Sequence, residues 1–251
     1  MPVENIYSSA YVKALFDEMA QTYGPVNLIS SFGFAKGWRD TCIREAGLQS
    51  GMTVYDWMSG MGECWASILA KIGSGGQIAA LDISPVMCAK SMDNRAYHKH
   101  GNVTITAQDV LENHLPDESA DCVISTFGLK TFDTNQQHQL AGEIWRVLKP
   151  RGTFSLLEIS VPKNPLLRVP YLFYIKTCIP LIGRLWLGNP DNYRMLGRYT
   201  TAFRNCTGMQ TALEQTGFLV QFHTHFFGCA TSVSGQKPIR DEVNAGDKAV
   251  L

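Results

Sequence analysis

The sequence predicts an α/β fold: a Rossmann-like, mostly parallel seven-stranded sheet with an antiparallel edge hairpin, N-terminal helices and a helical insert before the last helix. Three observations carry that prediction. From position 52 onward, short β-rich runs alternate with helical stretches, the signature of βαβ units with right-handed crossovers. The first β-rich run enters a glycine turn that opens a helix. After the last helix, two β-like runs follow each other closely enough to pair.

Residues 1–50 read as helical. Val12, Leu15, Phe16 and Met19 recur at helical spacing within 11–19, and 38–46 forms a second segment beyond Gly24-Pro25. Strands are expected at 53–58, 77–82, 103–107, 121–126 and 152–160, and helices at 63–72, 85–99 and 135–148. The last of these runs into Lys149-Pro150-Arg151-Gly152, a stop signal followed by a turn. A helix over 207–216 stops at Gly217, and 218–224 and 226–233 form the hairpin. The chain reads as one domain, 1–235, with a helical cap (1–50), an insert (161–205) and a polar tail at 236–251.

Composition narrows the function. With 45% hydrophobic and 18% charged residues in 251, a sizeable core is expected. Lys+Arg and Asp+Glu both total 22, so a global polyanion-binding surface, and with it a nucleic-acid partner, is not expected. No run reaches the 18 apolar residues of a membrane span. The N-terminus has neither the basic start nor the apolar stretch of a secretory signal. The seven cysteines, never closer than 22 positions, rule out a close-spaced zinc clip and speak against a disulfide framework. A reduced protein of the cytoplasmic type is expected.

The insert is unusual. From Ile159 to Pro190 there is no acid, while Lys163, Arg168, Lys176 and Arg184 are basic and stand among many large apolar and aromatic residues. Such a stretch suits peripheral membrane contact through 162–190, or a greasy substrate channel. An ordinary helical pair packed on the sheet with snorkelling basic stems fits equally well.

The sharpest local signal is Val54-Tyr55-Asp56-Trp57-Met58-Ser59-Gly60-Met61-Gly62-Glu63. A strand entering a glycine turn before a helix N-terminus lets a ligand approach bare backbone N–H groups. A dinucleotide wants a third glycine and tolerates no acid beside its pyrophosphate. Here the third position is Trp65, Glu63 adds negative charge, and no Lys or Arg follows until Lys71. S-adenosylmethionine carries no phosphate, and its sulfonium and ammonium are positive, so Asp56 and Glu63 become assets. The turn residues Ser59, Gly60, Met61 and Gly62 are then cofactor-binding candidates, with Asp56 near the amino-acid moiety. Asp82 ends the second strand 20 residues after Gly62, where a carboxylate accepts both ribose hydroxyls; capping the next helix is its bland alternative. Ile83 and Met87 are placed to cover the adenine, and Asp109 with the Val110 N–H to read its edge. These acids stand at the carboxyl ends of successive strands, where open α/β sheets bind ligands.

With those residues in place, the chain resembles a class I S-adenosylmethionine-dependent methyltransferase, specifically the ubiquinone/menaquinone biosynthesis C-methyltransferase family, over about residues 10–238. Tyr23-x-x-x-Asn27, Ser31-Phe32-Gly33 and Trp38-Arg39 are similar to that family's first signature. Phe127-Gly128-Leu129-Lys130, Arg146-Val147-Leu148-Lys149-Pro150-Arg151-Gly152 and Leu157-Glu158-Ile159-Ser160 resemble its second. The resemblance implies cofactor contacts at Met61, Asp82, Asp109, Val110 and Thr126. The family's usual Arg-Asn after Phe-Gly-Leu is here Lys130-Thr131, so contacts to substrate oxygens must differ.

The expected reaction is transfer of the methyl of S-adenosylmethionine to a ring carbon of a lipophilic, quinol-like acceptor. Lys130 is the candidate stabiliser of a phenolate, Tyr23 the candidate orienter of the acceptor, and Glu158 a base or its orienter; each also has a purely structural reading. His138 reads as a surface residue. His223 and His225 share one face of the hairpin but have no third ligand in view, so no metal is expected. Transfer to oxygen or nitrogen of a specialised metabolite stays open, as do a non-catalytic scaffold and a homodimer.

Overall fold

The computed structural model describes residues 5–20, 34–97, 101–186 and 190–239. Its strands are β1 (Thr53–Trp57), β2 (Gln77–Asp82), β3 (Val103–Ala107), β4 (Ala120–Thr126), β5 (Leu148–Ile159), β6 (Leu219–His225) and β7 (Ala230–Gln236). They form one sheet in the order β3-β2-β1-β4-β5-β7-β6. All pairings among β1–β5 are parallel, and β7 runs antiparallel between β5 and β6.

The helices are α1 (Ser9–Met19), α2 (Phe34–Glu45), α3 (Trp65–Ile72), α4 (Pro85–Tyr97), α5 (Thr134–Val147), α6 (Pro165–Phe173), α7 (Ile179–Trp186), α8 (Pro190–Phe203) and α9 (Thr207–Thr216). Their ends follow local chemistry. Ser8 caps α1, and Asp133 with Gln136 closes a capping box on α5. Gly217 ends α9 in the left-handed conformation. A π-helical turn, Tyr174–Cys178, joins α6 to α7.

Strand alternation divides the core between the two faces of the sheet. Tyr55 and Trp57 of β1 join Leu140, Ile144, Met209 and Leu213 of α5 and α9. Val54 faces the other way, with Ile43 of α2 and Ile68 and Ile72 of α3. Asp56 falls on this second face, where it would be unpaired but for a donor from α3.

The turn expected at Lys149–Gly152 is instead part of β5. The stop signal does end the helix, at Val147, but Leu148 pairs at once with Ala120. The pairing shifts between Ala120 and Cys122, and Arg151 takes φ +64°. An irregularity of this kind accepts Pro150, which no regular inner strand would. Other boundaries move by a few residues: α3 starts at Trp65, leaving Glu63 in the turn, and the hairpin strands meet at a 3-10 turn over Phe226–Gly228. Gly24-Pro25 and the tail beyond 239 lie outside the described residues.

Candidate active site

In the strand order the direction of progression reverses between β1 and β4, the switch point at which open α/β sheets bind ligands. Both strands end there in backbone that bends sharply. Met58, Gly60 and Gly62 after β1, and Phe127 after β4, all have positive φ. Gly62 has no substitute in this arrangement: at φ +83° a Cβ would sit 2.5 Å from the Trp65 ring. Trp65, standing where a dinucleotide turn has its third glycine, packs under the turn and donates its indole N–H to Asp56 at 3.0 Å.

Asp56 is only 1% exposed and lines neither of the two cavities described below. Asp56, expected near the cofactor's amino-acid end, accepts its side-chain hydrogen bond from Trp65. Burial, reinforced by the charge of Glu63, raises its carboxyl to about 8. Asp82 is placed differently. Its two oxygens accept the backbone N–H groups of Gly60 (2.8 Å) and Ser84 (2.9 Å), tying the glycine turn to the end of β2. Burial raises it to about 6 against the pull of those two hydrogen bonds.

Gly60, Asp82, Ile83, Met87, Asp109, Val110 and Thr126 line one cleft. Ser59, Met61 and Gly62 belong to the turn beside it but are not on its wall. The Ser59 hydroxyl is buried without a hydrogen-bond partner. Asp109 caps a short 3-10 turn through the Leu111 N–H, and its second oxygen accepts from the Ser9 hydroxyl at 2.6 Å. Asp17 likewise accepts from Ser84. By these contacts α1 lies across the cleft, whose volume is about 60 Å³. Tyr7, Ser9 and Phe16 thus join the cleft although no local motif marks them.

A second, larger cavity of about 330 Å³ adjoins the first. Phe16, Phe127 and Thr131 line both. Its walls come from α1, α2 and the insert, and Lys130 is the one residue with a formal charge that lines it among the described residues. Lys130 is buried; its Nζ donates to the Phe127 carbonyl and lies 3.1 and 3.2 Å from the Glu158 oxygens. Glu158, fully buried, also accepts the backbone N–H groups of Lys130 and Ile159. Its lone pairs are committed, so it orients Lys130 and does not reach the cavity as a base.

The expectation that no Lys or Arg attends Glu63 before Lys71 is also corrected. Arg39, from α2, brings its Nη2 to 3.9 Å from Glu63 Oε1, with its guanidinium 5.0 Å from the Phe127 ring centroid. Tyr23 lies outside the described residues. His138 is exposed. His223 and His225 bond to Ser234 and Ser232, and no group of three metal-ligating side chains occurs among the described residues.

The model of the ubiE/COQ5 methyltransferase family matches residues 5–237. The chain belongs to that family. Among relatives of the family, the demethylmenaquinone methyltransferase of Lactiplantibacillus plantarum is 31% identical, covering 90% of this chain and 95% of its own. The ubiquinone/menaquinone biosynthesis C-methyltransferase of Cellvibrio japonicus is 29% identical over 95% of each. A methyltransferase of Haloferax volcanii, solved with its Trm112 activator, superposes with a TM-score of 0.63 at 18% identity, covering 89% of this chain and 98% of its own. The protein is an S-adenosylmethionine-dependent methyltransferase. Its residues fit that cofactor: the cleft offers carboxylates at Asp82 and Asp109 and, among the described residues, no Lys or Arg on its wall, suiting a positively charged ligand without phosphate.

Proposed function

We propose that this methyltransferase alkylates a ring carbon of a lipophilic, quinol-like acceptor seated in the 330 Å³ cavity. The supporting observation is that Lys130, paired with Glu158, is the one residue with a formal charge among the described residues lining a largely apolar chamber, which shares Phe16, Phe127 and Thr131 with the cofactor cleft. S-adenosylmethionine, when bound, supplies an electrophilic methyl group. The chain supplies position and electrostatics. Apolar walls hold the aromatic ring and exclude water. Lys130 stabilises the phenolate that makes the ortho carbon nucleophilic, and Glu158 keeps its ammonium aimed. In place of the planar Arg fork, Lys130 presents a single compact charge, suited to one oxygen.

The test is incubation with methyl-labelled cofactor and quinol or naphthol acceptors, with the label located by NMR. Label on a ring carbon supports the reading; label on oxygen or nitrogen replaces it.

The acceptor's lipophilicity and the insert's surface support peripheral contact with an anionic membrane. Leu166, Val169, Phe173 and Leu181 are exposed beside Lys163, Arg168, Lys176 and Arg184, which are exposed too. No helix among the described residues is long and apolar enough to cross a bilayer, so attachment would be interfacial. Charge reversal at Arg168 and Lys176 is expected to weaken sedimentation with anionic vesicles. If the wild-type protein itself stays in the supernatant, the insert is a substrate lid alone.

A further inference from the structure

We propose that the Tyr171 hydroxyl is the second anchor of the acceptor, taking a hydrogen bond from the ring hydroxyl opposite the oxygen that Lys130 attends. The inference rests on the acceptor reading of the larger cavity and deepens it by naming the group that holds the far end of the ring.

A quinol-like ring brings two polar ends into the cavity, and Lys130 meets one of them. Left unpaired among apolar walls, the other would be costly to bury. Tyr171, on α6, lines the cavity, and its hydroxyl donates to the Cys229 carbonyl at 3.1 Å. Cys229 lines the cavity too, so both ends of this hydrogen bond stand at the wall. The same carbonyl accepts the Ser160 N–H at 2.8 Å. Tyr171 is thereby pinned at the end of β5, two residues beyond Glu158, the partner of Lys130. Two residues along a strand stand roughly 6–7 Å apart, the scale of an aromatic ring with an oxygen at each end.

The direction of the hydrogen bond decides what Tyr171 can recognise. Its proton is committed to Cys229, so it presents oxygen lone pairs to the cavity and acts as an acceptor. Burial is the main cause that raises its phenol above the usual range, which keeps it a neutral hydroxyl. Thr131 and Tyr199, which line the same cavity, are committed in the same sense, to the Gly128 and Ile6 carbonyls. Thr131 adjoins Lys130 in the chain and serves the same end of the ring, and Tyr199 is tied to the segment ahead of α1. Tyr171 is the hydroxyl fixed to the strand that also carries Glu158. A ring hydroxyl can donate to it, whereas a methyl ether in that place has no proton to give.

The test is methylation kinetics on the full chain, under reducing conditions, with three acceptors: para-dihydroxynaphthalene, its monomethyl ether, and the monohydroxy naphthol. All three keep one phenol for Lys130. On the wild-type protein, kcat/KM for the diol is expected to exceed that for the ether by about tenfold. The monohydroxy naphthol, which lacks the far oxygen without adding bulk, should share the ether's high KM. Tyr171→Phe keeps the ring and drops the hydroxyl, and should shrink the diol-to-ether ratio to about twofold or less, chiefly through a higher KM for the diol. Comparing ratios between the two proteins removes the acceptors' own differences in reactivity. Equal kcat/KM for diol and ether on the wild-type protein overturns the proposal without recourse to any variant, and so does a naphthol KM as low as that of the diol. A Tyr171→Phe protein that loses activity on diol and ether alike, keeping the wild-type ratio, also overturns it, since Tyr171 would then be a support of α6. Failure of the wild-type protein to methylate a ring carbon of any of the three would overturn the acceptor reading itself.

Discussion

Both carboxylate oxygens of Glu158 face the Nζ of Lys130, at 3.1 and 3.2 Å, and the pair is enclosed except where Lys130 meets the larger cavity. A buried ion pair need not add stability, because desolvating two charges offsets their attraction. Removing one partner is another matter, since the other charge is stranded.

Lys130→Met is therefore expected to cost about 3–5 kcal/mol in stability and to abolish turnover. The double variant Lys130→Met/Glu158→Gln should recover most of the stability and none of the turnover. Urea unfolding together with a methylation assay separates the two effects. If the double variant is as unstable as the single one, the pair is not the electrostatic unit described.

Asp82 titrates near 6 because it is buried, and only its ionised form can accept two ribose hydroxyls while holding the Gly60 and Ser84 N–H groups. Affinity for S-adenosylhomocysteine should be full above that value and fall as pH drops through it, approaching tenfold per unit. In Asp82→Asn the affinity should be low and flat over the same range. Calorimetry between pH 5 and 8 checks this, and an unaltered slope in the variant would assign the titration to another group.

Asp56 imposes the opposite pH trend on stability. Its carboxyl is raised from the usual 3.8 to about 8 in the fold, so between those values the native state holds a proton that the unfolded chain has released. Stability from this group is present at low pH and declines as pH rises from about 4 to about 8, by at most about 1.4 kcal/mol per unit. Asp56→Asn keeps an acceptor for the Trp65 indole and removes the charge. Its melting temperature should exceed that of the wild type at pH 8 and converge with it near pH 4. A gap independent of pH would show that Asp56 is not protonated in the fold.

Gly62→Ala should destabilise by roughly 2–4 kcal/mol, combining a left-handed backbone penalty with overpacking against Trp65. The new methyl would lie 2.5 Å from a ring whose indole is fixed by Asp56. Trimming the ring in Gly62→Ala/Trp65→Phe should not rescue the fold, because the Asp56 hydrogen bond goes with the indole. Thermal melts of the three proteins decide this.

Much of the frame is legible in the chain because its signals are local. Strand and helix periodicities, the glycine turn, and the acids at or just past the ends of β1, β2 and β3 lie within windows of a dozen or so residues. Thus β2 and β3 fall where their patterns put them, and Asp82 comes out beside Gly60, 22 positions earlier in the chain. The Lys149–Gly152 stretch misleads because a Pro-Arg-Gly stop signal does not say whether a turn or an irregular strand comes next. That depends on β4, which offers Leu148 a partner at Ala120.

The residues themselves, read in order, were enough for the sheet, the glycine turn and a phosphate-free, cationic cofactor. Packing alone settled who meets whom across long separations: Arg39 with Glu63, Lys130 with Glu158, α1 over the cleft, and Asp56 beneath the turn instead of inside it. The reason is physical. Conformational preference is set by a residue and its near neighbours, whereas the pairing of buried charges is set by which elements must share a core.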